Sequence, residues 1–307
     1  MTNKPIIICV TGGKGGTGKT LVAVNLATMF KNDGFKTLLV DGDSENPNTY
    51  LLLGGELGKR KEVLFFKPSI NEEKCTKCGL CAQNCVPHAL LHVKDSYPIP
   101  ILAVCSGCKL CYKICPTEAI EADYKTVGWI YELSEKGIDL LVGELKPGEA
   151  RSASVIEALM ELLKEKITTE GDYDVVIIDT APGAHCDVEE LIEEADYVIP
   201  VTEPTRFGLS DLIRINELIT LLHKEFKVIV NRSTLLGYKN QFFDELADLQ
   251  LDVIGNIPLH DEVVNSYCAG VPLMENKKSS EKRGPAYSAF LDIFAQVKEW
   301  IKIKRTN

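Results

Sequence analysis

Gly13-Lys14-Gly15-Gly16-Thr17-Gly18-Lys19-Thr20 decides the fold. The string has the form G-x4-G-K-S/T. It follows a β-branched apolar run, Ile6-Ile7-Ile8-Cys9-Val10, and opens an amphipathic stretch over Thr20–Asn32. A glycine-rich turn between strand and helix lets successive backbone N–H groups point inward as an anion nest, and the helix N-terminus adds partial positive charge. In such a loop Lys19 sits on the β- and γ-phosphates of a nucleotide, Thr20 holds Mg²⁺, and Gly13, Gly15, Gly16, Thr17 and Gly18 form the cradle. A merely flexible glycine turn leaves the strand–loop–helix context unexplained.

Outward from the loop, short β-branched runs alternate with amphipathic stretches. Strands are expected at Ile6–Val10, Thr37–Val40, Ile138–Val142, Val175–Ile178, Tyr197–Val201, Lys227–Val230 and Val253–Ile254. Helices are expected at Thr20–Asn32, Ser152–Lys166, Val188–Glu194, Leu209–Lys224, Asn240–Leu249 and Ala286–Lys302. This pattern implies an α/β fold with a mostly parallel sheet and helices on both faces. Nearly a hundred residues separate Val40 from the next convincing strand, more than a compact crossover needs. An internal repeat accounts for the excess. Cys75-Thr-Lys-Cys-Gly-Leu-Cys-Ala-Gln-Asn-Cys85 recurs thirty residues later as Cys105-Ser-Gly-Cys-Lys-Leu-Cys-Tyr-Lys-Ile-Cys115. The expected organisation is an α+β, bacterial-ferredoxin-like insert over 68–124 within a discontinuous nucleotide-binding domain of 1–67 and 125–307. Pro68 and Tyr97-Pro98-Ile99-Pro100 are the expected rigid connectors.

Composition bounds the rest. The chain has 307 residues, 45% hydrophobic and 25% charged, which excludes disordered, collagenous and coiled-coil classes. A net charge of −10 argues against a nucleic-acid partner. No apolar run approaches the roughly eighteen residues of a membrane span, and the opening apolar run is too short for a signal peptide, so a cytoplasmic location is expected. Of eleven cysteines, eight lie between Cys75 and Cys115. In a reducing compartment clustered thiols point to metal, not to disulfides. Each repeat reads C-x2-C-x2-C-x3-C, the ferredoxin spacing for 4Fe–4S clusters, in which the fourth cysteine reaches the neighbouring cluster. That spacing groups Cys75, Cys78, Cys81 and Cys115 on one cluster, and Cys105, Cys108, Cys111 and Cys85 on the other. Tetrahedral zinc is the competing use of C-x2-C pairs. Pro116 follows Cys115 directly, whereas Val86 separates Cys85 from Pro87, so a local turn difference is expected.

With its second lysine, Lys14-Gly-Gly-Thr-Gly-Lys-Thr20 resembles the deviant Walker A loop of the MinD/ParA-type ATPases, relatives of the nitrogenase iron protein and of Mrp-type ATPases. Val40-Asp41-Gly42-Asp43 resembles switch I, and Val175-Val-Ile-Ile-Asp179-Thr-Ala-Pro-Gly183 resembles Walker B running into switch II. The resemblance implies an ATPase that works as a nucleotide-sandwich homodimer, with Lys14 reaching the partner's ATP. It implies that Asp43 orients or deprotonates the attacking water, that Asp179 holds Mg²⁺ through water, and that Asn231 and Pro258 lie at the adenine. Asp41 is expected to act as a strand-end cap. With the cysteine repeat, the chain resembles the MinD-superfamily ATPases that carry an inserted ferredoxin domain.

Cys9 and Cys268 are expected to be structural. Cys186, seven residues after Asp179, matches a position where the nitrogenase iron protein ligates a cluster shared across its dimer. It is either an ordinary switch-loop thiol or a dimer-interface contact. His185 is expected to be a solvated or packing residue, and the C-terminal amphipathic stretch to pack on the sheet and not on a membrane. Two functions follow: ATP-gated electron transfer through two clusters to a redox or metalloenzyme partner, or an ATPase that carries and delivers an iron–sulfur or metal cofactor. A positioning ATPase leaves the cysteines without a task.

Overall fold

The computed structural model describes residues 4–275 and 283–306. Its strands are β1 (Ile6–Thr11), β2 (Thr37–Gly42), β3 (Arg60–Ile70), β4 (Leu90–Leu91), β5 (Ile99–Pro100), β6 (Ile120–Glu135), β7 (Ile138–Leu145), β8 (Val175–Thr180), β9 (Tyr197–Thr202), β10 (Val228–Val230) and β11 (Val253–Asn256). Its helices are α1 (Lys19–Asn32), α2 (Thr49–Leu52), α3 (Leu80–Gln83), α4 (Leu110–Lys113), α5 (Ser152–Glu170), α6 (Cys186–Glu193), α7 (Arg206–Leu221), α8 (Lys239–Asp248), α9 (Asp261–Ala269) and α10 (Pro285–Thr306). The chain divides into two units, Met1–Lys61 with Trp129–Asn307, and Glu62–Gly128.

The larger unit is the expected α/β layer structure. Its strands run in the order β11-β10-β9-β1-β8-β2-β7, with β6 beside β7. The pairs of β1 with β8 and β9, and of β2 with β7 and β8, are parallel. β1, β2, β8 and β9 are fully buried, which explains why they read as continuous apolar runs and not as alternating ones. The register sets Val10 and Asp41 each beside Asp179, so β1, β2 and β8 end at one level. In open parallel sheets ligands bind beyond these carboxyl ends.

The C-terminal α10 buries Phe290, Ile293, Val297 and Ile301 in the core. Trp300 stacks on Tyr197 at 4.3 Å and donates its indole N–H to Glu225 at 2.7 Å. The apolar face of this helix is therefore spent on the sheet. Among the described residues no helix is long and apolar enough to cross a membrane.

The smaller unit, Glu62–Gly128, extends beyond residues 68–124 at both ends, through parts of β3 and β6. Neither strand was expected. Lys136 and Gly137, both at positive φ, make the two-residue turn from β6 to β7. Lys67 pairs with Asp123 at 2.7 Å, and the Asn71 N–H donates to the Ala119 carbonyl at 2.8 Å, tying the outgoing strand to the returning one. Pro68 is not a connector: it lies within β3, the last strand in the order, where a missing N–H is tolerated at an edge. Ile99-Pro100 likewise forms β5, antiparallel to β4.

Within this unit the repeat is structural. α3 and α4 occupy matching positions, Ala89 and Ala119 are both buried, and Phe66 packs edge-on against Tyr112 and Tyr124. The expected turn difference is absent. His88 and Glu118 share φ 52°, and their N–H groups donate to the Cys85 and Cys115 carbonyls at 2.9 and 3.2 Å. These closing donors lie beyond either proline, so moving the proline by one residue leaves the turn unchanged.

Candidate functional site

A cleft of about 740 Å³ opens at the carboxyl ends of the parallel strands. Gly15, Gly16, Gly18, Lys19, Thr20, Asp43, Asn231 and Pro258 line it, so the expected phosphate, switch and base positions share one space. Thr17 is buried behind the loop, and its hydroxyl donates to the Lys14 carbonyl at 3.3 Å. Gly13 lies against the Asp211 backbone at the edge of α7. Gly18 has φ 100°, and a Cβ there would stand 2.2 Å from the Asn231 amide nitrogen. Asn231 therefore braces the loop: its amide donates to the Thr17 carbonyl at 2.7 Å while its own oxygen accepts from the Arg232 N–H at 2.9 Å.

The electrostatics are dominated by buried carboxylates. Asp179 is 1% exposed, and neither of its oxygens has a hydrogen-bond partner. Burial, reinforced by the charge of Asp41, pushes its carboxyl well above the ordinary range. Asp41 is fully buried and pushed up to about 6, also by burial. It accepts from the N–H groups of Asp43, Asn48 and Thr49 and from the Thr49 hydroxyl, at 3.1, 2.9, 2.9 and 2.8 Å. It is thus more than a strand-end cap, because it fixes the whole loop that presents Asp43. Burial also raises Asp43, against the pull of Lys19. Lys19 is 5% exposed; burial pushes its ammonium down against the pull of Asp179 and Asp43, and it donates to the Lys14 carbonyl at 3.3 Å. A buried carboxylate without donors beside a phosphate loop fits a divalent cation. Asp179 and Thr20 would hold Mg²⁺ there.

Lys14 is not in the cleft of its own chain. Its ammonium bonds Glu203 at 3.2 Å, and Glu203, with its side chain only 8% exposed, also binds Arg232 at 2.7 Å. Burial opposes the charge on Glu203, but Arg232 and Lys14 outweigh it and hold its carboxyl below the ordinary range. Sequence reasoning missed Glu203 as Lys14's partner. The available signal was its place directly after buried β9, the same relation that Asp43 bears to β2. His185 and Asp187 also line the cleft; Asp187 was missed and His185 was expected only as a solvated or packing residue. Cys9 is fully buried, whereas Cys186 and Cys268 are exposed.

In the smaller unit Cys75, Cys78, Cys81 and Cys115 line one hollow, and Cys85 is not among them. Cys111 lies within electrostatic range of Cys105 and Cys108; burial first, then these neighbours, pushes its thiol up to about 11. Backbone N–H groups are aimed at three sulfurs: Ala89 at Cys85 (3.1 Å), Ala119 at Cys115 (3.2 Å) and Gly107 at Cys105 (3.4 Å). Such donors suit thiolate sulfurs that carry negative charge. Among the described residues no group of three or more His, Cys, Asp or Glu side chains is arranged to hold a single metal ion.

Residues 8–273 match the CobQ/CobB/MinD/ParA nucleotide binding domain, and the chain belongs to that family. It is 35% identical over 266 residues to an uncharacterized protein of Methanocaldococcus jannaschii, covering 86% of this chain and 90% of that one. An iron–sulfur cluster carrier protein of Pyrococcus abyssi is 24% identical over 299 residues, 93% of this chain and 83% of that one. The fold matches the septum site-determining protein MinD of Pyrococcus horikoshii, solved with Mg-ADP, at TM-score 0.60 and 18% identity over 98% of both chains.

Asp41 generates a pH prediction for the nucleotide-free protein. Its folded carboxyl titrates near about 6, above the unfolded value of 3.8, so its favourable contribution is present below about pH 4 and is lost as pH rises through 6. Asp41→Asn removes that loss. Between pH 4 and 7 the urea unfolding free energy of the variant should rise relative to wild type by about 2–3 kcal/mol. Parallel profiles would show that folding does not raise the Asp41 carboxyl.

Proposed function

We propose that the chain is a MinD/ParA-type ATPase that closes as a nucleotide-sandwich homodimer and gates electron transfer through two 4Fe–4S clusters held by its smaller unit. The observation that carries the redox half is the meeting of Cys115 with Cys75, Cys78 and Cys81 around one hollow, the crossed grouping required by the ferredoxin spacing. When bound, the clusters supply one-electron storage at negative potential. The chain's own part is to hold them: eight thiols from two repeats, with N–H donors on the sulfurs of Cys85, Cys105 and Cys115.

In the ATPase half, the loop from Gly13 to Thr20 binds the phosphates, Lys19 neutralises charge that accumulates on the γ-phosphate, and Asp43 orients or deprotonates water. Lys14 must leave Glu203 to reach a partner's nucleotide. Asp41 holds residues 43–49 in place, and the chain runs from there through α2 into β3, so switch I and the smaller unit are close in sequence. That continuity supports gating, with nucleotide selecting between two arrangements of the switch.

The similarity to an iron–sulfur cluster carrier favours a second reading, delivery of a cofactor in place of electron transfer. The exposed Cys186 and Cys268 are the thiols outside the repeats that such delivery would use.

Lys14→Ala should retain ADP binding but lose ATP-dependent dimerisation and most turnover, measured by light scattering and phosphate release. Normal turnover in a monomeric variant would end the sandwich-dimer reading.

Gating is tested by redox titration of anaerobically purified protein with ADP and with a non-hydrolysable ATP analogue. A coupling of about 1–3 kcal/mol corresponds to a one-electron potential shift of roughly 40–130 mV between the two nucleotides. Superimposable curves, in protein with eight irons per chain that binds both nucleotides, would favour the carrier.

A further inference from the structure

The thirty-residue repeat lets one half of the smaller unit serve as the control for the other, because surface positions in one half have mates in the other. The Ile101 N–H donates to the Ala89 carbonyl at 2.7 Å, as the Asn71 N–H does to that of Ala119 at 2.8 Å, so the two halves close alike. What they present to solvent differs. In the β4–β5 hairpin Leu91 stands opposite Ile99, which puts both on one face, while Leu90 is buried. Leu91 is 53% exposed and Ile99 60%. Ile101, two residues past Ile99, and Val93, two past Leu91, are exposed as well, and so is Val104. The mates of Leu91, Ile99, Ile101, Val93 and Val104 are Glu121, Ser69, Asn71, Asp123 and Lys74. There Glu121 pairs with Lys74 at 3.4 Å and accepts from the Asn71 amide at 2.9 Å, and Asp123 pairs with Lys67. One half is polar at the positions where the other offers five exposed apolar side chains.

The apolar face is built on the chain between Cys85 and Cys105, two of the four cysteines grouped on one cluster. Ala89, whose N–H bonds Cys85 Sγ, leads directly into β4, and Val104 immediately precedes Cys105. Between those cysteines the only charged residues are Lys94 and Asp95, and from outside the hairpin Lys77 lies over the Tyr97 ring at 4.4 Å. A lipid surface is recognised by apolar residues with about 4–8 clustered cations, more than this hairpin gathers. A stable contact between two copies of a chain takes about 20–30 residues a side, of which five apolar side chains supply a small fraction. Electron-transfer encounters occupy the small end of the interface range.

We infer that a small electron-transfer protein with an apolar face over its own redox centre docks on this hairpin and exchanges electrons with the site of Cys85, Cys105, Cys108 and Cys111. This rests on the cluster reading proposed above. In the exchange the reduced cluster gives up one electron, the partner's centre takes it, and no proton moves. Contact excludes water between two apolar faces, and without ion pairs across it the complex is free to part quickly.

The test follows reduction of rubredoxin, a one-iron electron carrier, by the full chain, purified anaerobically, reduced with dithionite and desalted. The ferric iron takes one electron from a cluster and its colour bleaches. The measurement is made in ADP and at high salt, which screens long-range charge. Leu91→Glu combined with Ile99→Ser installs the residues that the other half carries. It should slow the second-order rate by about tenfold or more, since the contact would bury a carboxylate without a partner. Ser69→Glu, at the mate of Ile99, should leave the rate unchanged. Both variants should keep eight irons per chain and the wild-type rate of oxidation by benzoquinone, a small acceptor that needs no docking face. Wild-type protein that fails to reduce rubredoxin, an unslowed hairpin variant, or an equal loss in Ser69→Glu would overturn the docking site and leave the cluster reading intact. So would wild-type protein that pairs with itself in ADP, or binds phosphatidylglycerol vesicles, and loses that property in the hairpin variant. Zinc in place of iron, or fewer than eight irons in the wild type, would overturn both.

Discussion

Two carboxylates in dry surroundings, Asp41 and Asp179, stand side by side at the ends of β2 and β8, and the site is arranged around them. Neighbouring buried anions are costly, and a single buried ammonium, Lys19, stands against them. The two acids resolve the tension differently. Asp41 takes four hydrogen-bond donors from the loop that follows it, so its burial is converted into a fixed geometry for Asp43 and Thr49. Asp179 takes none, which leaves it the group that a divalent cation would satisfy. The strand register makes both arrangements possible, because a slip by one residue would turn one of the carboxylates to the opposite face.

The second polar knot, Lys14 with Glu203 and Arg232, is of another kind. Glu203 already has two cations, so Lys14 can leave without stranding a buried charge: Arg232 remains at 2.7 Å. A lysine held by a shared carboxylate is available for transfer to an incoming phosphate, whereas one locked in an exclusive buried pair is not. The larger unit thus keeps one lysine, Lys19, fixed in the cleft and a second one releasable beside it.

Much of this was legible in the sequence because its signals are local. The phosphate loop, the seven core strands and the cysteine repeat each depend on spacing within a dozen residues. Strand ends were read two or three residues short at Val40, Ile178 and Val142 because polar residues such as Asp41, Asp179 and Glu144 continue those strands. β3 and β6 escaped because their exposed, charged stretches lack a buried strand's apolar run, and the Lys136-Gly137 turn lacks the usual asparagine or aspartate. Long-range partners were not legible at all. Glu203 and Lys14 are 189 residues apart, and Asn231 and Thr17 are 214 apart. Pro87 illustrates the opposite error: a visible sequence difference suggested an altered turn, but both turns close alike at His88 and Glu118.

Burial raises the Asp41 carboxyl to about 6, so a divalent cation and a bound phosphate arriving beside it should displace a proton from it. Calorimetric titration of preformed Mg-ATP into the full chain at pH 6, in two buffers of different ionisation enthalpy, counts that proton. The expected result is a buffer-dependent heat that corresponds to net proton release, diminished in Asp41→Asn. Tight binding with the same heat in both buffers would contradict it.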